Sequence, residues 1–406
     1  MSSPAPVLPI AASLVTHSIA GNQLTLLHCG VEYFPLLCAA LDQAQVSIFL
    51  ESYIFAGDET GQRVVDSLLR AAQRGVSVHV LVDGFGAADF PDAWQSEFAT
   101  AGVHLQWFRR EVFRFPFHRH RLRRLHRKLV AIDQTTAFIG GINIINDRTK
   151  LHRAPRLDYA VRIVGALATE IYLEMRHLWH RVSWAKFRQR SHWLKINAYR
   201  HGFKQARTPL DTPPLLTLLL RDNFHHRRDI KEAYLHAITH AKHEIILANA
   251  YFLPGRNFRQ ALIEAAQRGV RVVLLLQGKI EYRFQHYATH ALYGKFLEAG
   301  IEIYEYQSSY LHAKVAVVDS HWVTIGSSNI DPFSLMLARE ANIAVRHTEF
   351  ANGLRASLLA AAQHATRIHP QNWQKINWAT RLLLWCSYTA VRMITGLVGG
   401  KQHTEE

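Results

Sequence analysis

Two stretches decide how this chain is read: LHRKLVAID at Leu125–Asp133 and LHAKVAVVD at Leu311–Asp319. Each writes His-x-Lys-x-x-x-x-Asp inside an apolar run. Working outward, each is followed by a glycine step and an asparagine, FIGGIN at Phe138–Asn143 and TIGSSN at Thr324–Asn329. Upstream of each, AAQRGV recurs letter for letter, at Ala71–Val76 and Ala265–Val270. Three features in one order, at an offset of about 190 residues, mark two copies of one large unit, not a solenoid. Such copies are expected to pack about a pseudo-twofold axis and to share an interface.

Within each copy, helical and strand patterns alternate. In the first, Phe34–Gln43 reads as helix, Val46–Tyr53 as buried strand, Gly61–Arg74 as an amphipathic helix stopped by Gly75, and Val76–Val82 as strand. The second repeats this with Ile230–Ala241, Glu244–Ala250, Asn257–Arg268 stopped by Gly269, and Val270–Leu276. Near-continuous apolar strands alternating with helices predict an α/β fold, each half a mixed, mostly parallel sheet flanked by helices. The proline-rich TPLDTPPLL, Thr208–Leu216, disfavours helix and central strand and is the best linker. The expected organisation is a first half at 1–205 with a basic aromatic insertion at 108–125, a second half at 206–370, and a tail at 371–406.

On a strand, side chains alternate faces, so His126 and Lys128 share one face, as do His312 and Lys314. Asp133 and Asp319 fall on the opposite parity at the strand end, where they fix the turn and act on chemistry indirectly. If the axis brings the copies together, two imidazoles and two ammonium groups face one cavity. That set suits a phosphodiester. Two lysines neutralise the phosphate, one neutral histidine attacks phosphorus, and the other, protonated, gives the leaving oxygen its proton. No metal is called for, because the lysines supply the charge, and lysine is a poor partner for a zinc site. A lone His-x-Lys is usually a solvated strand edge; the duplication with matched followers argues against that here.

The candidate catalytic set is therefore His126, Lys128, Asp133, His312, Lys314 and Asp319. Gly140, Gly141, Gly326 and Ser327 are expected to let backbone approach the phosphate, with Asn143 and Asn329 adding amide donors. An attacking histidine also needs its second nitrogen held by an acceptor. Asp158 lies downstream of His126, and Glu340 a similar distance downstream of His312, so both are candidates.

The chain has 406 residues, 49% of them apolar, enough for a large core. Its formal charge of +15, from 47 Lys+Arg against 32 Asp+Glu, suggests anionic partners. Cys29, Cys38 and Cys386 follow no metal or disulfide spacing, which suits a reducing compartment. The N-terminal MSSPAPVLPIAASLVTHSIAG lacks a basic n-region and is not read as a signal peptide. No run reaches the ~18–20 uninterrupted apolar residues of a membrane span.

These residues closely resemble the phospholipase D superfamily, whose paired signature both motifs match in full; GSSNIDPFS at Gly326–Ser334 matches its continuation. ESYIF (Glu51–Phe55), NAYFLPG (Asn249–Gly255) and SLMLAREAN (Ser334–Asn342) are similar to bacterial cardiolipin synthases of the B type, and the resemblance covers roughly Leu24–Val345. It implies two phospholipase D-like halves sharing one site, no cofactor, and transfer of a phosphatidyl group between two phosphatidylglycerol molecules through a phosphatidyl–histidine, releasing glycerol. His126 is then the nucleophile and His312 the acid/base. The first copy departs from the second in carrying Gly141 where the other has Ser327. A phospholipase D-type hydrolase or nuclease is the alternative.

The choice of substrate rests on other segments. FRREVFRFPFHRHRLRRLHRK, Phe108–Lys128, interleaves arginine with phenylalanine, and Trp179, Trp184 and Trp193 sit among basic residues in Trp179–Lys204. Such mixtures bind single-stranded nucleic acid, but also suit a membrane interface, where each Lys or Arg gains ~1 kcal/mol near anionic lipid. The tail, Trp373–Gly399, places Trp378, Leu382, Trp385, Met393 and Leu397 on one helical side and Asn377, Arg381, Tyr388, Arg392 and Thr395 on another. This predicts a helix lying in the interface plane. The expected partners are thus phosphatidylglycerol and the membrane surface, not nucleic acid, with the protein peripheral on the cytoplasmic side of the bacterial inner membrane.

Overall fold

The computed structural model describes residues 14–110, 123–147, 154–190, 214–223, 225–375 and 377–399. The first half is an eight-stranded sheet of β1 (Thr16–Ile19), β2 (Asn22–His28), β3 (Ser47–Ser52), β4 (Ser77–Asp83), β5 (His104–Phe108), β6 (Leu129–Ile132), β7 (Thr136–Gly140) and β8 (Tyr159–Val164). Its spatial order is β1-β2-β8-β7-β6-β3-β4-β5. The second half contains β9 (Leu216–Arg221), β10 (Glu244–Asn249), β11 (Arg271–Gln277), β12 (Glu302–Tyr306), β13 (Lys314–Val318), β14 (Trp322–Gly326), β15 (Glu340–Arg346) and β16 (Thr366–Ile368). Its order, β9-β15-β14-β13-β10-β11-β12-β16, repeats that of β2 to β5, so the duplication read in the sequence is a duplication of sheet topology.

The sheets are mixed, but parallel pairing is confined to β3-β4-β5 and β10-β11-β12, and every other neighbour pair is antiparallel. The expected parallel majority is corrected. The apolar strands show burial on both faces, which does not encode direction. What sets direction is the tight turn after each motif. Asp133 and Gln134 have φ of 50° and 60°, and Asp319 and Ser320 have 51° and 52°. Two successive positive φ values are the signature of a hairpin turn, and they fold β6 onto β7 and β13 onto β14.

Helices α1 (Cys29–Gln43), α2 (Glu59–Gln73) and α3 (Asp92–Ala101) cover the outer face of the first sheet; α5 (Asp229–His240), α6 (Arg256–Gln267), α7 (Arg283–His290) and α8 (Tyr293–Glu298) cover that of the second. Asp58 caps α2 by accepting the Gly61 N–H at 2.9 Å. The repeated AAQRGV ends α2 and α6 alike: Gly75 and Gly269 take φ of 89° and 88°, which a side chain resists. The inner faces meet in one shared core containing Ile139, Val161, Val323 and Ile343, sealed by α4 (Ala166–Arg190) and α10 (Thr348–Gln363). At roughly 1.5–3 kcal/mol per fully buried aliphatic side chain, this seam fixes how the halves face each other.

Trp179 belongs to that core, packed edge-on against Phe49 and His79, so it is not an interfacial tryptophan as expected; Trp184 is exposed. Trp193, the 205/206 junction, and most of the insertion at 108–125 lie outside the described residues. After α9 (Pro332–Met336) and α11 (Pro370–Gln374), α12 (Trp378–Gly399) packs on α7 and α9. It seats Leu384, Ser387, Tyr388 and Val391 against the second half, where Arg259 donates to the Tyr388 hydroxyl. Trp378, Leu382, Trp385 and Met393 remain exposed on the other side. No described helix is long and apolar enough to cross a membrane.

Candidate active site

Each motif histidine sits just before its strand, where the backbone pairs with that of the other half. His126 N–H donates to Arg339 O (2.9 Å), and Arg339 N–H donates back to Arg124 O (2.7 Å). Symmetrically, Leu157 N–H donates to Tyr310 O (2.9 Å), and His312 N–H to Leu157 O (2.8 Å). These short parallel bridges lay His126 beside Glu340 and His312 beside Asp158.

The side chains follow the backbone. His126 Nδ1 lies 3.0 Å from both Glu340 carboxylate oxygens, and His312 Nδ1 lies 2.6 Å from Asp158 Oδ2. The structure thus pairs each imidazole with the acid of the opposite half, not with the acid downstream of it in its own copy. Linear spacing cannot report a partner contributed across an interface. Neither Nε2 has a hydrogen-bond partner among the described residues, and both imidazoles retain 15% exposure. Lys128 and Lys314 are buried and donate to the carbonyls of His126 and His312, respectively; Lys314 Nζ is also 3.9 Å from Asp158. Tyr53, which the motifs do not flag, sets its ring edge-on to His126 at 4.8 Å, with Lys128 Nζ 5.3 Å from its centroid.

The glycine steps let their neighbours approach closely, and at Gly141 that neighbour is one of the acids. A Cβ on Gly141 would lie 2.2 Å from Asp158 Oδ1, one on Gly140 2.4 Å from Tyr159 O, and one on Gly326 2.3 Å from Asn342. Ser327, the residue equivalent to Gly141, donates its hydroxyl to Glu340 Oε2 at 2.6 Å and accepts the Ala341 N–H at 3.0 Å. The departure between the two copies is therefore matched by the acids: serine supports the longer glutamate, and glycine leaves room for the shorter aspartate. Asn143 Oδ1 accepts the Ile54 N–H at 3.2 Å, while Asn329 is buried with its Oδ1 unpartnered.

Asp133 and Asp319 are not at this site, which corrects their place in the catalytic set. Asp133 accepts the N–H groups of Gln45, Val46 and Ser47 at 2.8–2.9 Å; Asp319 does the same for Lys242, His243 and Glu244. They stand at the far ends of β6 and β13 and tie the adjacent strands into register. Two other residues anchor the motifs at the near end. Asp83 Oδ2 accepts the Leu125 N–H at 2.8 Å, and Gln277 Oε1 accepts the Leu311 N–H at 2.9 Å.

Burial dominates the electrostatics. It lowers Lys128 to about 7 and Lys314 to about 8, against the partial opposing pull of the two acids. It pushes His126 below its ordinary value against the opposing pull of Glu340, and takes His312 well below with help from both lysines. The acids diverge. Burial would raise Glu340, but His126 and Lys128 bring it below its usual range; burial raises Asp158 to about 7 despite Lys314. At neutral pH one imidazole therefore leans on a carboxylate and the other on an acid that holds a proton much of the time.

The comparisons accord with this geometry. A family model described as "Cardiolipin synthase, PLD-like domain" matches residues 37–179 and 234–360, one segment per half. Cardiolipin synthase B of Escherichia coli is 38% identical over 340 residues, 83% of this chain and 80% of that protein. The cardiolipin synthase of Geobacillus kaustophilus is 30% identical over 390 residues, 93% of this chain and 74% of that protein. Among solved structures, the phosphatidylserine synthase of Haemophilus influenzae overlays with a TM-score of 0.66 at 15% identity, covering 92% of this chain and 94% of that one, a likeness of fold. Duplicated sheets, a site built across their seam and matches of this extent place the chain in the phospholipase D-like cardiolipin synthase family of phospholipid phosphatidyltransferases.

Proposed function

We propose that the protein joins two phosphatidylglycerol molecules into cardiolipin and glycerol through a phosphatidyl–histidine. The observation that carries this reading is the crossed pairing of two imidazoles with two unlike acids beside two buried lysines. With Glu340 ionised, His126 donates Nδ1–H to it and presents a lone pair at Nε2, the form needed for attack on phosphorus. With Asp158 protonated, the acid donates to His312 Nδ1; as Nε2–H gives its proton to the leaving glycerol oxygen and the P–O bond breaks, the Asp158 proton passes to Nδ1, leaving a neutral imidazole beside an Asp158 carboxylate. Lys128 and Lys314 offset charge on the phosphoryl oxygens. In the second step a hydroxyl of the acceptor loses its proton to His312 as its oxygen bonds phosphorus, and the electron pair of the P–N bond returns to His126. The chemistry divides between the histidines as the family resemblance divides it, here on electrostatic grounds.

Exposed Trp378, Leu382, Trp385 and Met393 on α12, with the net charge of +15, support peripheral binding to an anionic bilayer. The test is incubation with phosphatidylglycerol vesicles in the presence of EDTA. Cardiolipin and glycerol in equal amounts are expected. Phosphatidic acid as the sole lipid product makes the protein a hydrolase, and cleavage of an oligonucleotide with no lipid turnover makes it a nuclease.

A further inference from the structure

A pocket lies against the second-half motif, lined by Tyr251, Gln277, Lys279, Glu281, Gln285 and Thr289 among others. It touches the site through backbone. Gln277 Oε1 holds the Leu311 N–H, and Ala250 N–H donates to Ala313 O at 3.0 Å, so its wall is bonded to both neighbours of His312. The Tyr251 hydroxyl donates to Glu281 Oε2 at 2.6 Å, and the Glu281 charge acts on Lys314. The Gln277 side-chain nitrogen is buried with no partner. In the first half the equivalent position is Asp83, whose oxygens are taken by the N–H groups of Leu125, Phe85 and Gly86. The duplication is thus closed on one side and left with an unfilled donor on the other. Ile280, Tyr282 and Phe284, all exposed, make the adjoining surface apolar, and α12 packs alongside on α7.

Donors and acceptors stand side by side here: the Gln277 amide and Lys279 ammonium against the Glu281 carboxylate and Tyr251 oxygen. That mixture matches vicinal hydroxyls, each of which both gives and accepts a hydrogen bond. Lys279 opposes an ammonium-bearing headgroup. We propose that this pocket is the glyceryl subsite, which holds the diol of the departing glycerol beside His312 and then the glycerol headgroup of the incoming phosphatidylglycerol. The inference rests on the transferase reading above. Because one histidine serves as acid and then base, leaving group and acceptor pass through the same place, and here both are glyceryl groups.

The experiment supplies phosphatidylglycerol vesicles with either isotope-labelled glycerol or 1-propanol, which lacks the diol, and measures label exchange into phosphatidylglycerol against phosphatidylpropanol formation. Wild-type protein is expected to favour glycerol, and Glu281→Gln and Tyr251→Phe to reduce the glycerol-to-propanol ratio by about tenfold or more, as for lost hydrogen bonds to a charged group. A ratio unchanged in both variants, with the two products falling together, overturns the subsite and leaves these residues a purely structural role. No product from either alcohol with wild-type protein instead overturns the transferase reading, and the subsite with it.

Discussion

Glu340→Gln tests the crossed pairing through its energetics. The substitution keeps the size of the side chain, its contact with Ser327 and its place on β15, and removes only the charge. When His126 Nε2 attacks phosphorus, the ring becomes cationic, and the carboxylate stands 3.0 Å from Nδ1. At an effective dielectric of about 20, unit charges 3–4 Å apart attract by about 4–5.5 kcal/mol. Since each ~1.4 kcal/mol is a factor of ten, adduct formation should slow by about 10³–10⁴. Asp158→Asn should cost less, about 10–10², because burial raises Asp158 to about 7 and its neutral form is already well populated at that pH. The assay is rapid-quench measurement of phosphatidyl–enzyme formation on phosphatidylglycerol vesicles, with circular dichroism to confirm folding. Glu340→Gln within about tenfold of wild type, or Asp158→Asn the more damaging of the two, refutes the assignment of His126 to Glu340 as the nucleophilic pair.

Other outcomes follow from the same geometry. Asp133→Ala and Asp319→Ala each leave three strand-end N–H groups without their acceptor, and should lower stability by about 2 kcal/mol in chemical denaturation while kcat/KM of the folded protein stays within about threefold; a large loss of kcat/KM without a stability change would return them to the catalytic set. Gly141→Ala drives a methyl into Asp158 and should cut turnover by about tenfold or more, and wild-type turnover in this variant would mean that the close approach is unimportant. With Lys128 lowered to about 7 and Lys314 to about 8, both ammonium groups lose protons as pH rises through that window, so kcat/KM should fall there. A bound phosphodiester anion favours the charged lysines and should move the kcat limb higher; kcat/KM flat to about pH 9 contradicts this. Replacing Trp378, Leu382 and Trp385 together by serine removes apolar area on the order of several kcal/mol of interfacial binding and should abolish cosedimentation with anionic vesicles; unchanged binding refutes the role of α12.

Much of this was legible in the residues because duplication exposes itself at any distance. The two His-x-Lys motifs, the AAQRGV helix ends and the two acids are all local strings, and each marks a local structure. Strand direction was not legible, since Ile48, Val130 and Val317 are buried whichever way their neighbours run. Nor was the exchange of Asp158 and Glu340, which depends on how two surfaces meet. Tyr53 stayed hidden because an aromatic after a buried strand looks like core until the imidazole it covers is in place. The tail carries two faces on one helix: Leu384, Ser387, Tyr388 and Val391 pack inward while Trp378 and Trp385 are exposed, and helical spacing alone does not tell that the inner face has a neighbour in the second half.

The covalent intermediate offers the decisive measurement. Wild-type protein mixed with phosphatidylglycerol labelled at phosphorus should be quenched within one turnover, digested under alkaline conditions that preserve phosphohistidine, and its labelled peptides identified by mass spectrometry. Label on His126 alone, abolished in His126→Ala and retained in Asp319→Ala, is the expected result. Label on His312, or turnover to cardiolipin with no histidine adduct formed, contradicts a shared site in which His126 attacks and His312 moves the proton.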